Sequence, residues 1–253
     1  MIYIGIPVRN ERHTIGPLLW RVREVLYGER REFHVIVCDD ASDDGTTEAL
    51  QKYPRVLPMT LLRNDAGLGY AASLERLIRE AVRRSGYPKR DALVTMQADF
   101  SDAPEWVPEM MRRFDGGADL VTVRLDGRPS RPERRVRFGA RLLARGLRPF
   151  GVPADPFASL RLYRLFALGR ALTELEADAP LIRHEGWAAN AEILLRVWPH
   201  LRRAEEIEVQ PRAARRYRDS RFQASAQIRA LRAAGRDPQL RATRRAIESA
   251  ARA

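Results

Sequence analysis

Three polar segments begin where apolar runs stop. "VIVCDD" (35–40) ends in an acid pair, "LVTMQADFSD" (93–102) reaches Asp99, and "IGIPVRNE" (4–11) passes through Pro7 to Arg9 and Glu11. Each closes a run of the kind that forms a buried strand. A carboxylate that leaves a buried strand, as Asp40 does, can accept a hydrogen bond from a ring N–H of a base. One at a strand end, as Asp99 is, can share a hard divalent cation with phosphate oxygens. Pro7 has no N–H to give a ladder, so it is expected to end the pairing and leave the next amides and carbonyls facing a ligand. Ser42, Asp43 and Asp44 read as turn and capping residues, with Gly45 able to take a positive φ.

Positioning these groups falls to an alternation of short strands and longer helical patterns, which argues for an α/β fold with a mostly parallel sheet flanked by helices. Strands are expected at 2–8, 33–40, 56–62, 91–99 and 118–123. Helices are expected at about 14–26, 46–53 and 70–85, then along "PEWVPEMMRRF" from Pro104, with Thr14 placed to cap the first. Ligands of such sheets lie at the carboxyl ends of the strands, which puts Asp39, Asp40, Arg63 and Asp99 on one edge. Beyond Arg124 the pattern changes to an Arg-rich loop and an amphipathic helix at about 134–147. A short strand at 160–164, a helix at 187–198, a strand at 205–211 and a terminal pair of Ala/Arg helices follow.

The chain has 253 residues with 45% hydrophobic content, enough for one large domain or a domain with an appendage. It has no run of about 18 apolar residues and no basic leader before "MIYIGIPV", so neither a spanning helix nor a signal peptide is expected, and the reading is a cytoplasmic protein. The single cysteine, Cys38, excludes an internal disulfide and a Cys-based zinc site, and reads as a buried strand residue. His13, His34, His184 and His200 show no ligand spacing. Of the net charge of +12, residues 124–148 carry +7 and residues 211–253 carry +9, so the basic charge belongs to the second half. Clustered Arg suits phosphates or an anionic surface. The Ala/Arg stretch 224–253 reads as a solvated helix face, with a membrane-surface helix as the sharper alternative. A nucleic-acid surface is the weaker reading, because only Tyr217 and Phe222 stand among these arginines as stacking partners.

The three segments, in this order and spacing, resemble the nucleotide-sugar domain of family 2 glycosyltransferases, with its Rossmann-like GT-A fold. Later segments extend the likeness to about residues 1–222. "DPFASLRLYR" (155–164) resembles the "D-P-x-S-G-F-x-x-x-R" segment of dolichol- or polyprenyl-phosphate sugar synthases, "EGWAANAEILLR" (185–196) their helix ending in "E-I-L", and "RRYRDSR" (215–221) their "R-x-x-G-E-S-K" element. The resemblance implies a donor half at 1–123 and an acceptor half at 124–222; beyond it the Ala/Arg pattern gives a tail of amphipathic helices at 223–253. It implies that Pro7, Arg9 and Glu11 line the nucleotide and that Asp40 recognises the base. Asp99 would hold Mg²⁺ or Mn²⁺ against the diphosphate, with Ser101 as a second, weaker ligand. Gln97 and Ala98 stand in the family's "D-A-D" and would lie beside the nucleotide. Arg124, Arg137, Arg215 and Arg221 would contact phosphates, and Asp155 would lie near the reacting sugar carbon.

The implied activity is metal-dependent, inverting transfer of a sugar from a GDP- or UDP-sugar, first to a polyprenyl phosphate at a membrane surface. Departures from the pattern are Gln97 for the first acid, Ala158-Ser159-Leu160 for Ser-Gly-Phe, and Arg218 to Arg221 for Gly-Glu-Ser-Lys. A lipid phosphate is already charged and needs little general base, whereas a sugar hydroxyl needs one, for which Asp155, His184 and Glu185 are the candidates. For His184 and Glu185 a structural role at a helix start is the plainer reading. Transfer to a hydroxyl and a catalytically silent nucleotide-sugar-binding protein are the alternatives.

Overall fold

The computed structural model describes residues 1–125, 155–176, 179–209 and 224–250. The expected helix at about 134–147 lies outside these. Among the described residues a seven-stranded sheet runs in the order β3-β2-β1-β4-β6-β5-β7. The strands are β1 (Ile2–Val8), β2 (Phe33–Asp39), β3 (Met59–Arg63), β4 (Ala92–Thr95), β5 (Leu120–Leu125), β6 (Arg161–Arg164) and β7 (Ala204–Val209). Pairing is parallel except where β6 runs against β4 and β5. The carboxyl ends of six strands and the amino end of β6 therefore share one edge.

Helices α1 (Ile15–Leu26) and α4 (Val107–Asp115) cover one face, and α3 (Tyr70–Arg84), α5 (Leu165–Thr173) and α6 (Trp187–Val197) the other. Strand β1 shows why: Ile2, Ile4, Ile6 and Val8 point into the first layer and Tyr3 into the second, so the strand is apolar on both sides. The short α2 (Thr46–Leu50) follows β2. The terminal helices α7 (Ala224–Arg236) and α8 (Pro238–Ala250) bury Leu231, Ala234, Leu240 and Ile247 in a third cluster with Ala188, Ala191 and Leu195 of α6 and with Phe157. Stabilisation by such burial scales with the apolar area removed from water.

Several local expectations change. Strand β4 stops at Thr95 rather than Asp99: Met96 N–H donates to Gly5 (3.0 Å), and the next rung would need an N–H from Pro7, which has none. Pro7 does not end β1, however, because on the other side the strand stays paired with β2 as far as Val8↔Asp39. Thr14 occupies the N-cap position of α1 without a side-chain cap; its hydroxyl donates back to Glu11 Oε2 (2.6 Å) and to the Glu11 carbonyl. Strand β3 starts at Met59, after a 3-10 turn at Tyr53–Arg55 that leaves Val56 exposed. Helix α5 was not expected from the sequence; no side chain caps its start, and it forms because Leu165, Ala167, Leu168 and Ala171 bury against the α3 layer.

Candidate active site

Backbone strain collects at one edge of the sheet. The non-glycine residues with positive φ among the described residues are Asn10 (54°), Ala41 (52°) and Phe100 (62°), and each sits in the loop after a different strand, β1, β2 or β4. Such conformations cost of order 1 kcal/mol each and concentrate where a loop is shaped for a ligand.

The first two loops are laced together. Asn10 N–H donates to Ser42 Oγ (2.9 Å) and Asp43 N–H to Asn10 Oδ1 (3.0 Å), while Glu11 N–H donates to Thr46 Oγ1 (2.8 Å). Gly45 takes φ 90, as its place in the turn suggested. Ser42 and Asp44 are turn residues: Ser42 N–H and Oγ donate to Asp39 Oδ1, and Thr46 N–H donates to Asp44 Oδ1. Asp39 is buried and also accepts from Thr47 Oγ1, so its carboxylate serves the turn.

Asp40 is buried beside it and faces the β3–α3 loop. Its oxygens accept from Asn64 Nδ2 (2.8 Å), Leu68 N–H (2.7 Å) and Gly69 N–H (3.0 Å), with the half-exposed Arg9 guanidinium 3.5 Å away. Asn64 follows directly on β3, so the strand-end rule that singled out Arg63 could have found it.

Asp99 is half-buried in the turn after β4, where Ser101 N–H (3.0 Å) and Oγ (2.6 Å) donate to its Oδ1. Ala98 is buried and Gln97 is half-buried. A residue the sequence reading passed over, Asp102, underlies this turn. Its Oδ2 accepts from Gln97 N–H (2.8 Å) and from Ser159 Oγ (2.8 Å), 57 positions further along the chain. Thr95 Oγ1 adds a bond to the Ser159 carbonyl (2.6 Å). The turn after β4 and the loop leading into β6 are thus held as one piece, and Ser159 supplies the tie.

Burial pushes the Asp102 carboxyl up to about 6, against the pull of the Gln97 and Ser159 hydrogen bonds and with a smaller push from Asp99. A raised folded-state pKa means that the native state binds the proton more tightly than the unfolded chain. The stability that goes with it is fully present below the ordinary value of 3.8 and is lost as pH rises through about 6. Unfolding by urea should therefore show Asp102→Asn gaining about 2 kcal/mol on the unmodified chain between pH 4 and pH 7. A difference between the two proteins that does not change with pH would refute this account.

Asp155 lies in the same loop. Its Oδ1 accepts from Phe157 N–H (3.0 Å) and its carbonyl from the guanidinium of Arg161 (3.1 Å), which is fully buried and also donates to the Asn190 carbonyl (2.6 Å). Asn190 in turn donates to the Phe157 carbonyl (3.1 Å) and accepts from Tyr70 Oη (2.8 Å).

Two strands along from β4, at the carboxyl end of β5, the same edge carries Arg124. Arg124 lies on β5 with its guanidinium on Glu206 (3.0 Å) and Glu208 (3.2 Å) of β7, and no contact among the described residues brings it to Asp99. Arg137, Arg215 and Arg221 lie outside the described residues. Arg164, the last residue of the "DPFASLRLYR" segment, is at the opposite end of β6, bound to Asp119 (2.5 Å) and the Ala118 carbonyl. His184 Nδ1 pairs with the buried Glu192 (2.9 Å), and Glu185 accepts from Tyr70 and Ala71 N–H at the start of α3. Both side chains are thus engaged in bonds within the fold, Glu185 with α3 and not with the helix it precedes.

Fold and site together define an α/β protein that gathers strained loops and carboxylates at the carboxyl ends of a mostly parallel sheet. Comparison makes this specific: the sequence model of glycosyl transferase family 2 matches residues 3–168, and the chain belongs to that family. A dolichol-phosphate mannosyltransferase of Pyrococcus furiosus is 30% identical over 120 residues, 47% of this chain and 32% of that protein. An undecaprenyl-phosphate 4-deoxy-4-formamido-L-arabinose transferase of Pseudomonas fluorescens is 24% identical over 200 residues, 77% of this chain and 56% of that one. The chain thus spans about half or less of the length of the curated relatives it matches. Among solved structures, glucosyl-3-phosphoglycerate synthase of Mycobacterium tuberculosis in complex with UDP aligns with a TM-score of 0.66 at 19% identity, over 93% of this chain and 78% of that one. Another structure of that synthase, with Mn²⁺, UDP-glucose and phosphoglyceric acid, aligns with a TM-score of 0.65 at 20% identity, over 92% and 78%. At these identities the likeness establishes the fold.

Proposed function

We propose that the chain transfers a sugar from a UDP- or GDP-sugar, with inversion and with a divalent cation, to a polyprenyl phosphate met at a membrane surface. The observation that carries this is the convergence of Asp40 and Asp99 at the ends of strands on either side of β1, with the Asp155 loop reaching the same edge from the reversed β6. The donor set suits Mg²⁺ or Mn²⁺, since Asp99 and Ser101 offer hard oxygens. Among the described residues no cluster of three acidic, His or Cys side chains forms a complete cage, which fits a cation that takes its remaining ligands from phosphates and water. Such a cation offsets the charge that grows on the departing nucleoside diphosphate.

The protein's own part is placement. Asp40, oriented by the amides that donate to it, reads the base, Pro7, Arg9 and Glu11 border the nucleotide, Gln97 offers an amide to the ribose, and Asp155 lies by the sugar. An ionised acceptor is favoured because His184 and Glu185, two of the three candidate bases, are engaged in structural bonds. The names of the relatives support a lipid phosphate as well. Among the described residues no helix is long and apolar enough to cross a membrane. The solved neighbour holding phosphoglyceric acid keeps a small hydroxyl acceptor as the second reading.

Thermal unfolding with UDP- and GDP-sugars, with and without Mn²⁺, tests the donor site. Ligand at about 100 Kd adds about 2.7 kcal/mol, so one donor should raise Tm by roughly 5–10 °C with Mn²⁺ and less without it. If no nucleotide sugar moves Tm in either condition, the donor assignment is wrong.

A further inference from the structure

Four consecutive backbone amides, those of Leu68, Gly69, Tyr70 and Ala71, end on two carboxylates. Asp40 takes the first pair at 2.7 and 3.0 Å. Glu185 takes the second, with Tyr70 N–H at 3.0 Å and Ala71 N–H at 3.3 Å from both oxygens. Successive amides aimed at one side form an anion-binding concavity, and here two acids of the protein itself fill it. They come from opposite halves of the chain: Asp40 from the end of β2, Glu185 from the segment before α6. Gly69 is the joint between them. Its φ of 96 and ψ of 174 are open only to glycine, and a Cβ there would stand 2.6 Å from Glu185 Oε1.

We propose that Glu185 is a positioning residue for the donor nucleotide, setting the 64–70 loop so that Asp40 meets the base in a fixed orientation; this rests on the donor reading above. Helix α3 has no N-cap side chain of its own, and Glu185 supplies a carboxylate at the positive end of its dipole. Without it, the start of α3 and the adjoining Leu68 and Gly69 amides lose their anchor, and those amides orient the Asp40 oxygens. Arg9 moves with the loop as well, since its guanidinium packs over Gly67, where a Cβ would be 2.5 Å from it. The Tyr70–Asn190–Phe157 bonds run beside this link and tie the same helix start to the Asp155 loop. The fit of the donor is thereby set from the acceptor half.

The test is Glu185→Gln, which keeps the size but turns one amide acceptor into a donor facing N–H groups. Calorimetric titration of UDP and GDP with Mn²⁺ on the full chain should show about a tenfold rise in Kd for the nucleotide that the unmodified chain binds. Donor KM should rise in step, with kcat within about twofold of the original. Unchanged nucleotide affinity with a lowered Tm would reduce Glu185 to a plain helix cap and overturn the proposal. A collapse of kcat with unaltered affinity would also overturn it, in favour of a proton-accepting role. If the unmodified chain binds neither nucleotide, the donor reading fails and this inference with it. Should Glu185→Gln unfold, Glu185→Asp, which keeps the charge but shortens the reach, carries the same expectation.

Discussion

Asp99→Asn is expected to lower sugar transfer by about two to three orders of magnitude, the usual loss when one electrostatic stabiliser of a leaving group is removed, with Tm almost unchanged. Asparagine keeps the volume and still accepts from Ser101, so the turn stays intact. What disappears is the charge, and nothing nearby replaces it. Position 97 holds Gln97 where the family has its first acid, and the Asp102 carboxylate is buried under the turn on Gln97 and Ser159. The loss should appear in kcat and in the Mn²⁺ concentration needed for half-maximal rate, measured with a labelled donor. A variant keeping more than about a tenth of the turnover would move the cation elsewhere, or remove it from the reaction.

Glu192→Ala is expected to be the most destabilising single change of those considered, by about 3–5 kcal/mol, because it leaves buried donors and a cation without their counter-charge. The Glu192 side chain is fully buried in α6. It accepts from Arg183 N–H (2.9 Å), His184 N–H (3.1 Å) and His184 Nδ1 (2.9 Å), and binds the Arg196 guanidinium at 3.0 Å. Burial alone would raise its pKa, but His184, the Arg183 amide and Arg196 outweigh that and hold it below the ordinary carboxylate range. The contribution is therefore present above about pH 4.5 and is lost as pH falls through the folded-state value. Urea unfolding at pH 7 and pH 4 should show the gap between variant and unmodified chain narrowing in acid. A cost below about 1 kcal/mol at pH 7 would mean that the segment 183–187 rearranges freely.

Most of the first 125 residues was legible in the sequence because it is written locally. Apolar runs gave β1 to β5, turn chemistry gave Gly45, and the polar residues that close those runs gave Asp40 and Asp99. Strand lengths were less legible: β4 ends early for want of an N–H on Pro7, a residue of the neighbouring strand. The partners that hold the site were the hardest to see. Asp102 meets Ser159 across 57 residues and Glu185 meets Tyr70 across 115, and no periodicity or spacing encodes either contact. The ion pairs of Arg124 with Glu206 and Glu208 were equally hidden, because these partners on β7 are far away along the chain.

The reversed strand has a consequence for how such a protein can change. A chain whose strands all run one way can bring only carboxyl ends to its working edge, and each is fixed by a helix that must cross back. Strand β6 arrives there by its amino end, and it enters the sheet between β4 and β5 without disturbing the rungs among β1, β2, β3 and β4. The stretch ahead of β6 can therefore change in length or sequence without shifting the register of β1 to β4, so long as the Ser159 bond to Asp102 is kept. One side of the working edge can be revised over evolutionary time, and the other inherited as it stands.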